Sequence, residues 1–143
     1  MNIRRAKIRD LSALMAVEVA TFTEERYSED LLLFILTDSS YSTFLAEDGE
    51  IVGSASIQIE DGEAQLVSIG VVSHCRCRGI AKALMKAVEK EAISNGAIYM
   101  ILQVSIANTP AINLYLHHGY EIMQTLKNYY GQGKDAYLME KIL

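Results

Sequence analysis

The spacing of hydrophobic positions predicts a strand and two helices at the start of the chain. A strand is expected over 3–9. Asp10 then stands where a helix N-cap is expected, and the apolar residues after it share one helical face: Leu11, Leu14, Met15 and Val19. Ser28 is expected to cap a second helix, because two carboxylates follow it and favour the positive end of the helix dipole. This helix is expected to end near Asp38.

Two Asp-Gly pairs mark tight turns between the next three strands. Asp48-Gly49 separates a strand over 42–47 from one over 51–59, in which apolar residues alternate with more polar ones. That alternation predicts a half-buried antiparallel strand. Asp61-Gly62 leads into a strand over 64–72, whose more continuous apolar character predicts a more central position in the sheet.

The second half of the chain alternates between helices and strands. The hydrophobic period changes to about 3.6 from Gly79, which predicts a helix that runs to about Asn95. An apolar run over 98–104 predicts a buried strand, and Pro110 suits the first turn of another helix. Two strands are expected to close the chain, over 120–128 and 135–142. The order β-α-α-β-β-β-α-β-α-β-β predicts an α/β fold with a mixed sheet flanked by helices.

Composition restricts the class of protein. The chain has 143 residues, of which 50% are hydrophobic and one is Pro, so one domain over 1–143 is expected. The net charge of −5 disfavours nucleic-acid binding, and we expect neither a signal peptide nor a membrane span. The chain is therefore expected to be cytoplasmic, with Cys75 and Cys77 reduced. No metal site is expected, because the sequence has only three histidines to join them as ligands.

Segment 73–82 contains the residues whose chemistry is most specific. It joins the fourth strand to the next helix, and the first N–H groups of a helix lack partners within it. Gly79 and Ala81 let an anion approach the backbone, and nearby side chains add positive charge: Arg76, Arg78 and Lys82. The segment predicts a phosphate site, with an ordinary connection eased by a glycine as the alternative. The Gly-rich patterns of dinucleotide folds and P-loops are absent.

Three motifs in this half of the chain resemble the GNAT acetyltransferases. Residues 76–81, RCRGIA, match the family signature Gln/Arg-x-x-Gly-x-Gly/Ala between the fourth strand and the third helix. Residues 102–120 are similar to the family's LEVRxSNxxAxxLYxxxGF segment. Residues 128–139 resemble the NYY and DAYxM elements of its RimI and archaeal Nα-acetyltransferase branch. The resemblance implies the GNAT fold, an α/β fold whose mixed, mostly antiparallel sheet has splayed fourth and fifth strands and is flanked by about four helices.

The same resemblance implies acetyl-CoA as the co-substrate, bound between the fourth and fifth strands. Backbone groups of Ile69, Gly70 and Val71 would pair with the pantetheine arm. The pyrophosphate would lie on the loop and the first helical turn: Cys77, Arg78, Gly79, Ile80, Ala81 and Lys82. Asn108 would contact the cofactor beyond the fifth strand. Tyr115 would protonate the leaving thiolate, and the alternative is a core aromatic on an amphipathic helix.

Two glutamines stand where relatives carry ionisable side chains. RimI-like enzymes carry a glutamate at the position of Gln103, and archaeal and eukaryotic relatives often carry His or Tyr at that of Gln65. A glutamine amide takes up no proton near neutral pH, so these residues are expected to hold a water while the base lies elsewhere. Glu24 and Glu25, before the second helix, are the candidates, with solvated surface charges as the alternative.

Tyr27, Tyr129 and Tyr130 fall in the two loops that frame the acceptor site in this family. Their rings and hydroxyls suit binding of a peptide's first residues, and ordinary packing is the alternative. We therefore predict acetyl transfer to a primary amine, with the α-amine of a protein N-terminus as the expected acceptor. Lysine side chains, a small-molecule amine, and an acyl-CoA-binding sensor without turnover remain alternatives. We expect no nucleic-acid or membrane partner, and a monomer or weak homodimer, with a partner subunit left open.

Overall fold

Seven strands in one sheet and four helices make up the part of the chain that the computed structural model describes, residues 1–21, 27–76 and 78–143. The elements follow the predicted order: β1 (Asn2–Arg5), α1 (Leu11–Thr21), α2 (Glu29–Thr37), β2 (Tyr41–Asp48), β3 (Glu50–Glu60), β4 (Glu63–Val71), α3 (Ile80–Ser94), β5 (Tyr99–Ser105), α4 (Thr109–His117), β6 (Glu121–Leu126) and β7 (Ala136–Ile142). Short 3-10 turns at Ile8–Asp10 and Ser73–Cys75 precede α1 and α3. None of the helices in the described ranges is long and apolar enough to cross a membrane.

The sheet is antiparallel except at one pair of neighbours. Its strands lie in the order β1-β2-β3-β4-β5-β7-β6, and β4 and β5 run parallel. These two strands pair only over 63–65 and 99–101, and then they separate. The predicted mixed sheet with splayed fourth and fifth strands is therefore confirmed.

The core has two parts because adjacent residues of a strand point to opposite faces of the sheet. On one face, α3 packs fully buried Leu84 and Val88 against the inner strands. On the other face, α1 and α2 bury Leu14 and Leu32 against Leu45 of β2. Burial of each such side chain stabilises the fold by about 1.5–3 kcal/mol. Two of these helices, α1 and α3, also contact β4, the strand next to β5.

The first strand is shorter than predicted, and Asp10 has a different role. β1 ends at Arg5, and Asp10 lies inside the 3-10 turn. Its carboxylate accepts hydrogen bonds from the Lys7 N–H at 2.8 Å and from the two terminal nitrogens of the Arg4 guanidinium at 3.0 and 2.8 Å. Arg4 lowers the pKa of Asp10 to about 2. The prediction that Asp10 directly caps α1 is wrong, because this ion pair closes a turn before the helix begins.

The buried face of α1 also differs from the predicted one. Val19 is 58% exposed, whereas Val17 and Glu18 are buried. Residues seven apart share a helical face, and Glu18 lies seven residues after Leu11. The buried face therefore continues through a carboxylate, which a pattern of hydrophobic residues does not include.

β3 is more buried than its pattern predicts, and the second half of β4 is less buried. β3 is buried from Val52 to Ile57, on both faces of the sheet, whereas β4 is only half-buried from Val67 to Gly70. The reason is that α3 and α1 both contact β3, while β4 loses its β5 neighbour after Gln65. The prediction that β3 is only half-buried is therefore wrong. The prediction of a more central position for β4 is confirmed, because β4 is the fourth of the seven strands.

Candidate active site

A cleft of about 1070 Å³ lies where β4 and β5 separate. Residues 66–71 of β4 form one wall, and residues 103–108, at and beyond the end of β5, form the other. Beyond Val71 the cleft reaches the loop and first turn of α3, and near Val67 it reaches α1 and Tyr27. The cleft is thus an opening in the sheet, with strand backbone along both sides.

The α3 end of the cleft has the features of an anion site. Gly79 is the N-cap of α3 with φ of +78°, and as a glycine it has no side chain to cap the helix. The first N–H that bonds back within the helix is that of Ala83, to the Gly79 carbonyl at 3.0 Å. The N–H groups of residues 80–82 are therefore available to an anion. A Cβ added at Gly79 would meet nothing within 4 Å, so there is open space over this backbone.

The predicted loop residues do not all line the cleft. Gly79, Ile80, Ala81 and Lys82 line it, whereas Arg78 is exposed beside it. Cys77 lies outside the described residues. The Arg76 Nε donates to the carbonyl of Val71 at 3.0 Å, which ties the loop to the end of β4. Three positive side chains line this cleft in a chain of net charge −5: Arg76, Lys82 and Lys134.

Along β4, Ile69, Gly70 and Val71 lie in the cleft wall as predicted. β4 pairs with β3 along one edge, so the backbone groups of its other edge face the cleft. Gly70 lets α1 approach closely, because a Cβ at this position would lie only 3.0 Å from Thr21 Oγ1 of α1. The close approach of α1 to β4 therefore shapes the wall.

A β-bulge in β4 connects the wall to Tyr27. Ser56 pairs with Ser68 and Ile57 pairs with Leu66, so Val67 is the extra residue. The Tyr27 hydroxyl donates to the Val67 carbonyl at 2.9 Å. Burial and the charge of Glu18 raise the pKa of Tyr27, which keeps this hydroxyl protonated and able to donate.

Tyr115 of α4 lies in the cleft and is only 6% exposed. Its ring packs edge-on against Tyr120, with ring centroids 6.0 Å apart. Burial, with a smaller contribution from Tyr130, raises the pKa of Tyr115 well above its ordinary value. The residue is therefore a neutral phenol held in a fixed orientation, as a proton donor must be.

Gln103 and Gln65 contact each other where the pairing of β4 and β5 ends. Gln65 Nε2 donates to Gln103 Oε1 at 2.6 Å, and the reverse amide contact is 3.5 Å. Gln103 lines the cleft. Gln65 instead lines a hollow of about 150 Å³ beside it, together with Gln58 and two glutamates, Glu60 and Glu63.

The other predicted acceptor residues lie in the β6–β7 loop. The Tyr130 hydroxyl donates to the Gln103 carbonyl at 3.3 Å, so Tyr130 closes the cleft over β5. Tyr129 packs edge-on against Tyr130 with centroids 4.9 Å apart, but it is 50% exposed and does not line the cleft. Tyr129 also affects the pKa of Tyr27, which places the two tyrosine-bearing segments near each other.

Asn108 has a structural role that the motif did not reveal. It is the N-cap of α4, and its Oδ1 accepts from the Ala111 N–H at 3.3 Å. It also lines the cleft, as predicted. The side-chain oxygen of Asn108 therefore serves as the helix cap.

Sequence reasoning missed Glu18, a buried carboxylate that lines the cleft. Glu18 is 3% exposed, and its Oε2 accepts from the Tyr27 N–H at 3.2 Å. Burial raises its pKa, and its hydrogen bonds with Tyr27 and the Ser68 side chain offset part of that rise. Its position seven residues after Leu11 was the available signal. Glu24 and Glu25, the carboxylates named from sequence, lie outside the described residues.

Within the described ranges, no group of three or more His, Cys, Asp or Glu side chains is placed to hold a metal ion.

Comparison with known proteins agrees with this geometry. Residues 8–120 match the model of the Acetyltransferase (GNAT) family. An N-alpha-acetyltransferase of Sulfurisphaera tokodaii is 33% identical, over 96% of this chain and 90% of that protein. The ribosomal-protein-S18-alanine N-acetyltransferase of Escherichia coli has a solved structure with a TM-score of 0.89 and 25% identity, covering 99% of this chain and 92% of that one. Arabidopsis thaliana NAA60, solved in complex with acetyl-CoA, shares the fold with a TM-score of 0.86 at 22% identity, covering 99% and 98% of the two chains.

The splayed sheet, its cleft and these similarities define an N-acetyltransferase. The chain belongs to the GNAT acetyltransferase family, and the resemblance found in its motifs is confirmed.

Proposed function

We propose that this enzyme transfers the acetyl group of acetyl-CoA to the α-amine of a protein N-terminus, and that residues 1–143 form one such domain. The observation that carries the proposal is the cleft between β4 and β5. It joins an anion site at the start of α3 to a region walled by Tyr27 and Tyr130. A cofactor with a phosphate group and an extended arm fits the first part, and a narrow acceptor fits the second.

The residues at the α3 end fit the cofactor. Its pyrophosphate would lie on the backbone N–H groups of 77–82, over the open space at Gly79, with Lys82 adding charge. The pantetheine arm would pair with the free edge of β4 at Ile69, Gly70 and Val71, much as a short strand does. Asn108 would contact it from the β5 side. When bound, acetyl-CoA supplies the thioester carbon that the amine attacks.

The protein's own groups would handle the charges of this reaction. The oxyanion formed on attack would be stabilised by backbone N–H groups of β4 near the bulge at Val67. Tyr115, buried and neutral, would give its proton to the departing thiolate. Gln103, held by Gln65, would orient a water at the acceptor side of the cleft.

The acceptor would enter between Tyr27 and the loop of Tyr129 and Tyr130. Tyr27 and Tyr130 both have hydroxyls tied to strand carbonyls, so their rings form fixed walls. Such walls suit the backbone of a peptide's first residues better than a long flexible amine. The similarity to a protein named N-alpha-acetyltransferase supports the same acceptor class.

The test is an acetyl-transfer assay over peptides varied at their first two residues, with the product site located by mass spectrometry. Peptides with a blocked N-terminus and an internal lysine, and a polyamine, serve as controls. We expect acetylation of free N-termini only. Acetyl found only on lysine side chains or on the polyamine would reject the acceptor, and CoA binding without transfer to any amine would reject the reaction.

A further inference from the structure

The reaction needs a proton acceptor, and the two glutamines cannot supply it. An α-amine is mostly protonated near neutral pH, so one proton must leave before nitrogen can attack. The amides of Gln103 and Gln65 are bonded to each other at 2.6 Å and have no basic atom near neutral pH. Proton removal must therefore involve another group.

Among the described residues that line the cleft there are two carboxylates and no histidine. One, Asp135, lies in the β6–β7 loop, where its Oδ1 accepts from the Asn128 N–H at 2.9 Å and holds the loop. The other is Glu18 of α1, which is 3% exposed. Glu18 lies beside Tyr27 and Ser68, at the bulge in β4 where the acceptor side of the cleft begins.

We propose that the carboxylate of Glu18 is the base that takes the proton from the acceptor ammonium, directly or through one water. This inference rests on the acetyl transfer proposed above. One carboxylate oxygen, Oε2, accepts the Tyr27 N–H at 3.2 Å and thereby fixes the side chain in the cleft wall. A carboxylate has about four acceptor positions, so one remains for the proton besides the hydrogen bonds with Tyr27 and Ser68.

The surroundings of Glu18 favour this role. Burial raises its pKa, which makes the carboxylate a stronger base than a solvated glutamate. Among the described residues, its hydrogen-bond partners are Tyr27 and Ser68, and Thr21, Tyr115 and Tyr130 line the same part of the cleft. None of these carries a positive charge that would stabilise the ionised form and weaken the base.

The acceptor nitrogen loses two protons in this reaction. Glu18 takes one proton from the ammonium, and the nitrogen lone pair forms the C–N bond at the thioester carbon. The C–S bond then breaks with its electrons on sulfur, which takes the Tyr115 proton. The second nitrogen proton returns to Tyr115 through solvent, and Glu18 releases its proton to solvent. The net products are the acetylated amine, CoA and one proton.

Glu18→Gln separates the chemical role from the structural one, because the amide oxygen still accepts the Tyr27 N–H. We expect kcat to fall by about 10²-fold near pH 7, with unchanged CoA affinity and thermal midpoint. The deficit should shrink towards about pH 9, where the acceptor amine loses its proton without help. Glu89→Gln is the matched control, because Glu89 is also buried but lies outside the cleft, bonded to Tyr120 and Lys141 at 2.8 Å each. It should lower the thermal midpoint without changing the shape of the pH profile.

Three results would overturn the inference. A Glu18→Gln enzyme with wild-type rates across the pH range would reduce Glu18 to a hydrogen-bond acceptor for the loop. An equal loss at every pH would show a positioning effect and no base. A pH-dependent loss in Glu24→Gln or Glu25→Gln, absent from Glu18→Gln, would move the base to that residue. The comparison uses whichever amine the wild-type enzyme acetylates, so a wrong acceptor in the proposed function would leave this test intact.

Discussion

Replacement of Gly79 by Ala tests whether the start of α3 binds the cofactor's phosphates. The glycine has φ of +78°, and an added Cβ would point into open space over the helix N-terminus. In the free enzyme the cost is therefore only the left-handed backbone strain of a non-glycine residue, about 1–2 kcal/mol. For a chain of this size that corresponds to a fall in the thermal midpoint of roughly 3 °C or more.

The bound state should suffer more, because the methyl group would occupy the space that a phosphate needs. Loss of one hydrogen bond between an N–H and a charged oxygen costs about 1.5–3 kcal/mol. We therefore expect the Kd for CoA, measured by calorimetry, to rise by about tenfold to a hundredfold. The stabilisation that CoA gives in a thermal shift assay should shrink in parallel.

Gly49→Ala is the matched control for this experiment. Gly49 has φ of +77° in the turn between β2 and β3, and a Cβ there also meets nothing within 4 Å. The two variants therefore carry the same backbone strain and differ in position. Gly49→Ala should lose the same thermal stability and bind CoA normally. If Gly79→Ala binds CoA as tightly as Gly49→Ala does, the phosphates do not lie on this helix start.

Three further predictions follow from single residues. Tyr115→Phe should lower kcat by about 10²-fold with CoA affinity unchanged; steady-state kinetics showing full activity would remove Tyr115 as the acid. Tyr130→Ala should raise KM for the peptide more than it lowers kcat, because Tyr130 closes the acceptor side over Gln103, and a change confined to kcat would contradict this. Asp10, whose pKa is lowered from 3.8 to about 2 by Arg4, contributes stability that is present above the ordinary pKa and is lost as pH falls through about 2. Denaturant titrations should show that Asp10→Asn is less stable than the wild type near neutral pH and that the difference vanishes in acid.

Local signals in the sequence predicted the local structure well. Ser28 caps α2 through the Leu31 N–H at 3.2 Å, and the Asp-Gly pairs form both hairpin turns. Gly79 and Gly96 flank α3 with positive φ. These features depend on a few adjacent residues, and the physical chemistry of caps and turns is contained in them.

The errors arise where distant parts of the chain meet. Alternation along β3 could not show that helices cover both of its faces, because α1 and α3 lie far from it in sequence. The burial of Glu18 has the same origin, since its partners are Tyr27 and Ser68. Gln65 and Gln103 are 38 residues apart, and their direct contact depends on the short parallel pairing of β4 and β5.

The motifs predicted the cofactor side of the site better than the acceptor side. The cofactor residues implied by the family resemblance line the cleft, except Arg78, which lies beside it, and Cys77, which is outside the described residues. The acceptor side was predicted less completely, because its geometry depends on which loop tyrosines face inward. Tyr27 and Tyr130 do so, and Tyr129 supports Tyr130 from outside the cleft. Side-chain direction in a loop is set by tertiary contacts, which a motif does not contain.

The position of the base can also be tested by adding a carboxylate to the β5 side of the cleft. Gln103→Glu changes the side chain by one heavy atom, and Gln65 Nε2 would still donate to it, now to a charged oxygen. If Glu18 already supplies the base, Gln103→Glu should change the wild-type rate little at about pH 6.5, but it should raise the rate of Glu18→Gln by about tenfold. The four proteins of this double-mutant cycle should share one CoA affinity, which shows that the comparison reports proton transfer and not binding. A rate gain from Gln103→Glu in the wild-type background would mean that proton removal is limiting even with Glu18 present, and the assignment of Glu18 would fail. No rate gain in either background would show that the side chain at position 103 takes no part in proton transfer. The Gln103 amide would then serve only as the hydrogen-bond partner of Gln65.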